Sequence, residues 1–507
     1  MRKNKSGIII QHYPLLLSFV VLIAGSLRYF ILNDIWLDEG SSLFTALVGP
    51  GKVIGRTLAW EEQAPFYYFM LSLWLQISSN YYFARLLSLI FAMAGMFMFY
   101  KIISKHEKSK LILSLFLILF AINHFTIFAA VTIRYYAFVQ FLSLSMFYVF
   151  LNSYTLEKSP VTKHRALFIL LASIAVLTQY YLAFLLLAFG LTIWIRIGFS
   201  RFMKFCVDMA LPVAILMGLA LIIWEQFCTY SGLDATESSF AGMLEFIYVK
   251  LENSFIAFNY FPRQRSMRYL VRAFFLIILV FGFINIKKIK DEGKSIILVL
   301  FFTSLLLMAL YIVIHTDFIN VWHTMFFFVN ALLLAFFFIS VIGQKVRILF
   351  LSILILFNLL SGVFYYKPSC EMASVITHIE KKQNKELAIF IYPNLLKDVF
   401  QIQYKGSNKL IAVPQELDYN KGFKMQQWVI KDTLQLDSLF ISNNNVLYPN
   451  FIVLTDTKYE YHVKVDDFRF DLLNEYLDSR FRLVSDTSIC TCKIRQYSVI
   501  SKQLTVN

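Results

Sequence analysis

The sequence predicts a polytopic α-helical membrane protein with a soluble α/β or α+β domain at its C-terminus. Of the 507 residues, 58% are hydrophobic and only 16% charged, with mean hydropathy +0.63; a soluble domain carries about 25% charged residues. Apolar runs of about 17 to 22 residues recur from Tyr13 to Tyr366, long enough at about 1.5 Å per residue to cross a hydrocarbon core of about 30 Å. After Tyr366 the texture changes: Asn, Asp and Lys cluster and no run is long enough to span. The expected domains are therefore residues 1–366, membrane-embedded, and 367–507, soluble, the latter about 140 residues.

Taken in order, spans are expected at 13–32, 83–104, 111–129, 134–154, 165–178, 180–198, 208–227, 269–286, 295–314, 321–342 and 346–366, about eleven helices. The net charge of +15 would suit a nucleic-acid partner if it formed a patch, but Lys and Arg punctuate the gaps between apolar runs. Arg2, Lys3 and Lys5, then Lys101 to Lys110, Lys158 to Arg165, Arg196 to Lys204, Lys287 to Lys294, and Lys345 with Arg347 fall in alternate gaps. Such loops are held on the cytoplasmic side. The expected setting is a bacterial inner (plasma) membrane with a cytoplasmic N-terminus. The first run is too long for a signal-peptide core and has no small-residue cleavage site, so it reads as a retained helix.

This parity places outside the first loop, 33–82, the corners near Arg134 and Gln179, residues 228–268 and 315–320, and the C-terminal domain. It requires that Pro65 to Ile77 does not cross, so that stretch reads as an interfacial helix on the outer face. Gly49-Pro50-Gly51 marks a turn before it.

Several outer residues are suited to chemistry. Asp38 and Glu39 lie just past the first span, where charge is costly without a function. Asp38 is positioned to cap a short helix over Gly40 to Val48 with Glu39 in its first turn. A carboxylate there is also suited to act as general base on an acceptor hydroxyl, and the pair to hold a divalent cation; no other cofactor is implied. Glu61, Glu62 and Gln63 precede Pro65, which suits a first helical turn. Tyr67 and Tyr68 follow, either as an interfacial aromatic belt or as site residues. Arg85 and Arg134 open outer helix ends against the positive-inside trend, either snorkelling to lipid or pairing with phosphate. Tyr135 and Tyr136 follow Arg134. Gln179, Tyr180 and Tyr181 make another outer corner, and His315, Asp317, Trp322 and His323 a third. Acids, arginines, tyrosines and a histidine thus share one face, implying a polar, phosphate-binding cavity there.

In the order of these motifs the chain resembles the family C (GT-C) membrane glycosyltransferases, the class of protein O-mannosyltransferases and lipid A aminoarabinose transferases, over about residues 8 to 370. The acidic pair is Trp36-Leu37-Asp38-Glu39. The family's [KH]PPLYY is matched by Gln63-Ala64-Pro65-Phe66-Tyr67-Tyr68, its R-L-x-S by Arg85-Leu86-Leu87-Ser88, and its A-R-x-Y-A by Ile133-Arg134-Tyr135-Tyr136-Ala137. Two departures stand out: Gln63 replaces a Lys or His, and Trp322-His323 replaces a late Arg-Tyr. The resemblance implies inverting transfer of a sugar from a polyprenyl-phosphate-linked donor to a glycan, lipid or protein acceptor outside the membrane. Asp38 would be the base, and Arg134, Arg85 or His323 would stabilise the leaving phosphate. A membrane polymerase or ligase of surface glycans is the nearest alternative; a lipid or sugar transporter fits less well, since no internal repeat is evident.

In the C-terminal domain, LAIFIY, NFIVLT and CKIRQYSVI read as strands, and LLKDVF and FRFDLLNEYLDSRF as helices. Asp456 and Asp466-Asp467 invite a nucleotide-sugar reading, but no phosphate-cradling glycine loop accompanies them. Cys490 and Cys492 would share a face if both lie on one strand, and a Cys370 bond to either is an outside-compatible disulfide.

Overall fold

The computed structural model describes residues 5–32, 35, 37–61, 63–155, 162–230, 265–314, 325–365, 372–381, 387–419, 427–442, 445–456 and 469–500. The chain forms two compact units, one of Met1–Ile31, Gly49–Ile54 and Gln63–Lys367, the other of Leu32–Val48, Gly55–Glu62 and Pro368–Asn507. Most of the segment between residues 32 and 62 therefore belongs with the C-terminal residues.

The first unit is helical. Its elements are α1 (Lys5–Leu32), α4 (Phe66–Leu75), α5 (Tyr81–Ile103), α6 (Lys110–Ile122), α7 (His124–Val131), α8 (Tyr136–Val149), α9 (Thr162–Thr178), α10 (Leu182–Ile197), α11 (Phe199–Asp208) and α12 (Ala210–Tyr230). Then come α13 (Arg265–Ile284), α14 (Asp291–Ile314), α15 (Met325–Ser340) and α16 (Gln344–Tyr365). Every run expected to span is helical over most of its length. Among the described residues four helices are long and apolar enough to cross a membrane, or six if each of two bent pairs is one span. The ten residues of α4 extend about 15 Å, half a hydrocarbon core.

One expected span is broken. The run 111–129 divides at Asn123, where α6 and α7 meet at 55°. Asn123 has extended backbone and its side chain accepts from Phe125 N at 2.9 Å, capping a new helix inside an apolar stretch. Apolar residues surround α15 on all sides and it is buried along its length, as a helix without a polar face must be. Helices α5 and α8 pack against one another at Gly95, where a Cβ would stand at ordinary contact distance, 3.5 Å, from the Phe141 backbone nitrogen.

The second unit is built on a five-stranded mixed sheet of order β2-β1-β5-β7-β6, with β1 (Ala388–Tyr392), β2 (Leu410–Ala412), β5 (Asn450–Asp456), β6 (Phe481–Ile489) and β7 (Cys492–Val499); β3 (Ile441–Ser442) and β4 (Asn445–Val446) form a separate ribbon. β1 runs parallel to β2 and β5, whereas β7 is antiparallel to β5 and β6. All of β1 is buried, consistent with the continuous apolar run of a strand covered on both faces. Phe390, Phe440, Phe451, Phe481 and Tyr497 centre the core. The two cysteines do not share a strand: Cys490 occupies the β6–β7 turn with φ 58° and is disulfide-bonded, whereas Cys492 opens β7 as a buried free thiol. Cys370 and Asp466-Asp467 lie outside the described residues.

Candidate functional site

The expected site residues fall into two groups, one in each unit. In the helical unit, four motifs converge on the α7–α8 corner. Arg134 Nη1 donates to the Tyr68 hydroxyl at 2.8 Å, joining residues 66 apart in sequence. The rings of Tyr67 and Tyr68 meet edge to face at 5.8 Å, Tyr67 and Tyr135 at 6.4 Å, and Tyr135 and Tyr136 at 5.1 Å. Tyr180 lies near Tyr135, and the Tyr180 ring contacts that of Tyr181 at 5.0 Å. Tyr67, Tyr68, Tyr135 and Tyr136 are all buried, so none belongs to a lipid-facing belt. Gln63 is half-buried at the entry to α4.

The Arg85-to-Ser88 motif has structural work in this unit. Helix α5 starts at Tyr81, with Asn80 accepting from Tyr82 N at 2.8 Å, so Arg85 lies in its second turn rather than opening it. At 1% exposure Arg85 does not snorkel; its Nη1 donates to the Phe30 carbonyl at 3.2 Å, in the last turn of α1, where a cation is favoured by the helix dipole. Ser88 donates to the Thr132 carbonyl at 2.7 Å and bolts α5 to the corner that carries Arg134.

In the sheet unit, α2 (Leu37–Ala46) carries the acidic pair. The helix begins one residue before Asp38, so Asp38 is not its cap. Both acids occupy the first turn, where the dipole favours them. Successive helical residues point about 100° apart, and the two are unequal: Glu39 is 2% exposed, whereas Asp38 is partly open to solvent. A proton acceptor for an incoming molecule must be reachable, which favours Asp38. Gly40 follows, and a Cβ there would meet Val399 Cγ2 at 2.5 Å; a glycine lets α2 seat on α18 (Leu396–Gln403).

Arg56, Trp60, Asp398 and Tyr419, which sequence reasoning missed, join Glu61 in holding this segment. A π-helical turn, Thr57–Glu61, brings Glu61 to accept from Ser41 Oγ at 2.7 Å and Thr45 Oγ1 at 3.1 Å. Trp60 is buried in the sheet core, packs on Tyr419 at 4.7 Å and donates to Ser41 Oγ at 3.4 Å. The Arg56 guanidinium lies 3.7 Å over the Tyr419 ring and 4.7 Å from that of Phe44, and burial lowers its pKa. The Tyr419 hydroxyl donates to Asp398. Burial pushes the Asp398 carboxyl up to about 6 against the opposing pull of Tyr419 and Arg56. No local signal marks these partners, because residues 56 and 419 are linked by tertiary contact alone.

Glu62 and His323, with His315, Asp317 and Trp322, lie outside the described residues. Among the described residues no group of three or more His, Cys, Asp or Glu side chains is gathered to hold a metal ion, so the cation proposed for the acidic pair would need other ligands.

No family model matches the chain, and no curated protein is similar to it in sequence. Its structure is similar to crystal structures of ArnT from Cupriavidus metallidurans. The apo form gives 10% identity and a TM-score of 0.44 over 99% of each chain. The form bound to undecaprenyl phosphate gives 10% and 0.41, over 99% of this chain and 100% of that one. The apo Archaeoglobus fulgidus oligosaccharyltransferase is similar at 13% identity and a TM-score of 0.46, covering 88% of this chain and 70% of the other.

Proposed function

We propose that the protein is a GT-C-type inverting glycosyltransferase of a bacterial inner membrane, using about eleven spans and transferring a sugar from a polyprenyl-phosphate carrier to a glycan, lipid or protein acceptor on the outer face. Asp38 takes the acceptor hydroxyl proton, the acceptor oxygen attacks the anomeric carbon, and the bond from that carbon to the carrier phosphate breaks with inversion. The negative charge that develops on the departing phosphate is met by the Arg134 guanidinium. Tyr68 fixes the direction of Arg134, Tyr67, Tyr135, Tyr136, Tyr180 and Tyr181 supply its aromatic surroundings, and Gln63, Glu62 and His323 complete donor or acceptor contacts. Arg85 and Ser88 act as positioning residues. A donor delivered by the membrane suits an outer-face reaction, since nucleotide sugars are cytoplasmic in bacteria.

The observation that carries this reading is the Arg134–Tyr68 bond. It joins the proline-tyrosine and arginine-tyrosine motifs, whose order in the chain suggested the class. The test is transfer measured with purified protein, lipid-linked donor and cell-envelope acceptor. Asp38→Asn is expected to abolish turnover while insertion and donor binding persist; turnover within a few-fold of the parent sinks the base assignment.

A further inference from the structure

A basic cavity sits in the helical unit, apart from every motif above. Its volume is about 260 Å³, and Tyr154, Arg165, Arg201, Lys204, Phe205 and Asp208 line it. Counting three cations and one carboxylate, its formal charge is 3 − 1 = +2. The arginine nearest the carboxylate is already oriented: Arg165 Nε lies 3.1 Å from each Asp208 oxygen, and Tyr154 donates to the same carboxylate at 2.8 Å. Asp208 is buried, whereas the Arg165 side chain is 43% exposed. The carboxylate therefore anchors one edge of a guanidinium that stays accessible. A planar guanidinium held in this way suits phosphate oxygens.

Helix α11 divides its two faces between water-soluble and apolar chemistry. Arg201, Lys204, Phe205 and Asp208 recur at spacings of three, one and three and line the cavity. Phe199, Met203 and Val207, at spacings of four, form an exposed apolar stripe, at 58%, 47% and 70%, whose last member, Val207, also lines the cavity. Trp194 and Ile195, at the end of α10, are exposed as well. At Met209 the chain bends by 56° into the apolar α12. An amphipathic helix with an open apolar stripe, leading at a sharp angle into a candidate span, has the form of one lying in a membrane interface. Arg196, Arg201 and Lys204 also belong to one of the basic gaps expected on the cytoplasmic side, where anionic lipids concentrate.

We infer that this cavity is a binding site for the phosphate of an anionic glycerophospholipid, with Arg165, Arg201 and Lys204 around the headgroup and acyl chains along Phe199, Met203 and Val207. A free phosphate ion would use the same cations but leaves the adjoining apolar stripe without a function. The lipid uses both. The site neither donates sugar nor contacts the reacting atoms, and it stands independently of the proposed transfer.

The test uses the full-length protein, delipidated in detergent, with phosphatidylglycerol or phosphatidylethanolamine added and retained lipid counted by native mass spectrometry. Phosphatidylglycerol is expected to be retained about tenfold or more over phosphatidylethanolamine, because its headgroup carries a net negative charge that the basic residues attract whereas phosphatidylethanolamine is zwitterionic. The double variant Arg201→Ala, Lys204→Ala is expected to lose that preference. Equal retention of the two lipids, or an unchanged preference in the double variant, overturns the assignment. Inorganic phosphate at millimolar concentration is run alone; binding of phosphate with no retention of phosphatidylglycerol would reveal a free-anion site and overturn the lipid reading. A photoreactive phosphatidylglycerol carrying its label on the headgroup, applied to the unmodified protein, decides the matter without any variant. Adducts at Tyr154, at Arg165 or within residues 193–208 support the site, and adducts confined to other segments refute it.

Discussion

Two arginines, Arg134 in the helical unit and Arg56 in the sheet unit, both engage tyrosine, but in different ways. Arg134 donates to a hydroxyl at 2.8 Å, and a neutral partner of this kind fixes a guanidinium's direction without cancelling its charge. The Arg56 guanidinium carbon instead lies over the Tyr419 ring, 3.7 Å from its centroid, with Nε and Nη2 buried and lacking a hydrogen-bond partner among the described residues. Stacking spends the face of the guanidinium on packing. In the proposed function Arg134 is the cation that meets the carrier phosphate, whereas Arg56 serves as a staple. The contrast suggests how labour is divided: the helical unit carries the anion-directed group, while the sheet unit holds the segment that bears the acids.

If that division is right, the largest effect should come from the staple. Trp60→Ala removes an indole that is 3% exposed within the sheet core, and large aromatic truncations of this kind cost about 3–5 kcal/mol. Thermal unfolding of the full-length protein followed by near-UV circular dichroism should show early melting of the sheet unit, with far-UV helical signal retained to the parental temperature. A melting curve unchanged by the substitution would make residues 55–62 an appendage rather than part of the fold.

The same cluster gives a pH signature. Asp398 titrates at about 6 in the folded protein, against about 3.9 in an unfolded chain. A carboxyl raised by folding adds stability that is complete below about pH 4 and is lost as pH rises through about 6. The difference of about two units corresponds to about 3 kcal/mol at most. The sheet unit should therefore melt higher at pH 5 than at pH 7.5, and Asp398→Asn should remove most of that difference. A variant with the parental pH slope would assign the slope to other groups.

How much of this was legible in the sequence depended on whether the signal was local. Periodicity and run length gave the helices, including the short one after Pro65, and the apolar runs that became β1, β5 and β7. They failed at Asn123, because a capping side chain outweighs the apolar run around it, and at Cys490, where a turn with positive φ interrupts what looks like one strand. In the site, the motif order singled out Arg134, Tyr68 and Asp38. It did not distinguish Arg85, which a carbonyl on α1 claims, from Arg134. Nor did it find Arg56 and Tyr419, which meet across some 360 residues, or Asp398 and the role of Glu61, which rest on side-chain contacts 16 to 21 residues apart that no motif marks.

The sharpest use of the comparison lies in two substitutions of one bond. Arg134→Ala removes a charge-assisted contact to phosphate, worth about 1.5–3 kcal/mol, so the KM for the lipid-linked donor should rise about 10- to 100-fold while that for the acceptor moves much less. Tyr68→Phe leaves the guanidinium in place and removes only its neutral partner, a hydrogen bond worth about 0.5–1.5 kcal/mol. Its effect should be a few-fold loss, expressed in kcat more than in donor KM, because a misdirected cation still attracts phosphate in the ground state but meets the developing charge less well. If Tyr68→Phe raised donor KM as much as Arg134→Ala does, the tyrosine rather than the arginine would be the phosphate contact, and the contrast between the two arginines would lose its functional meaning.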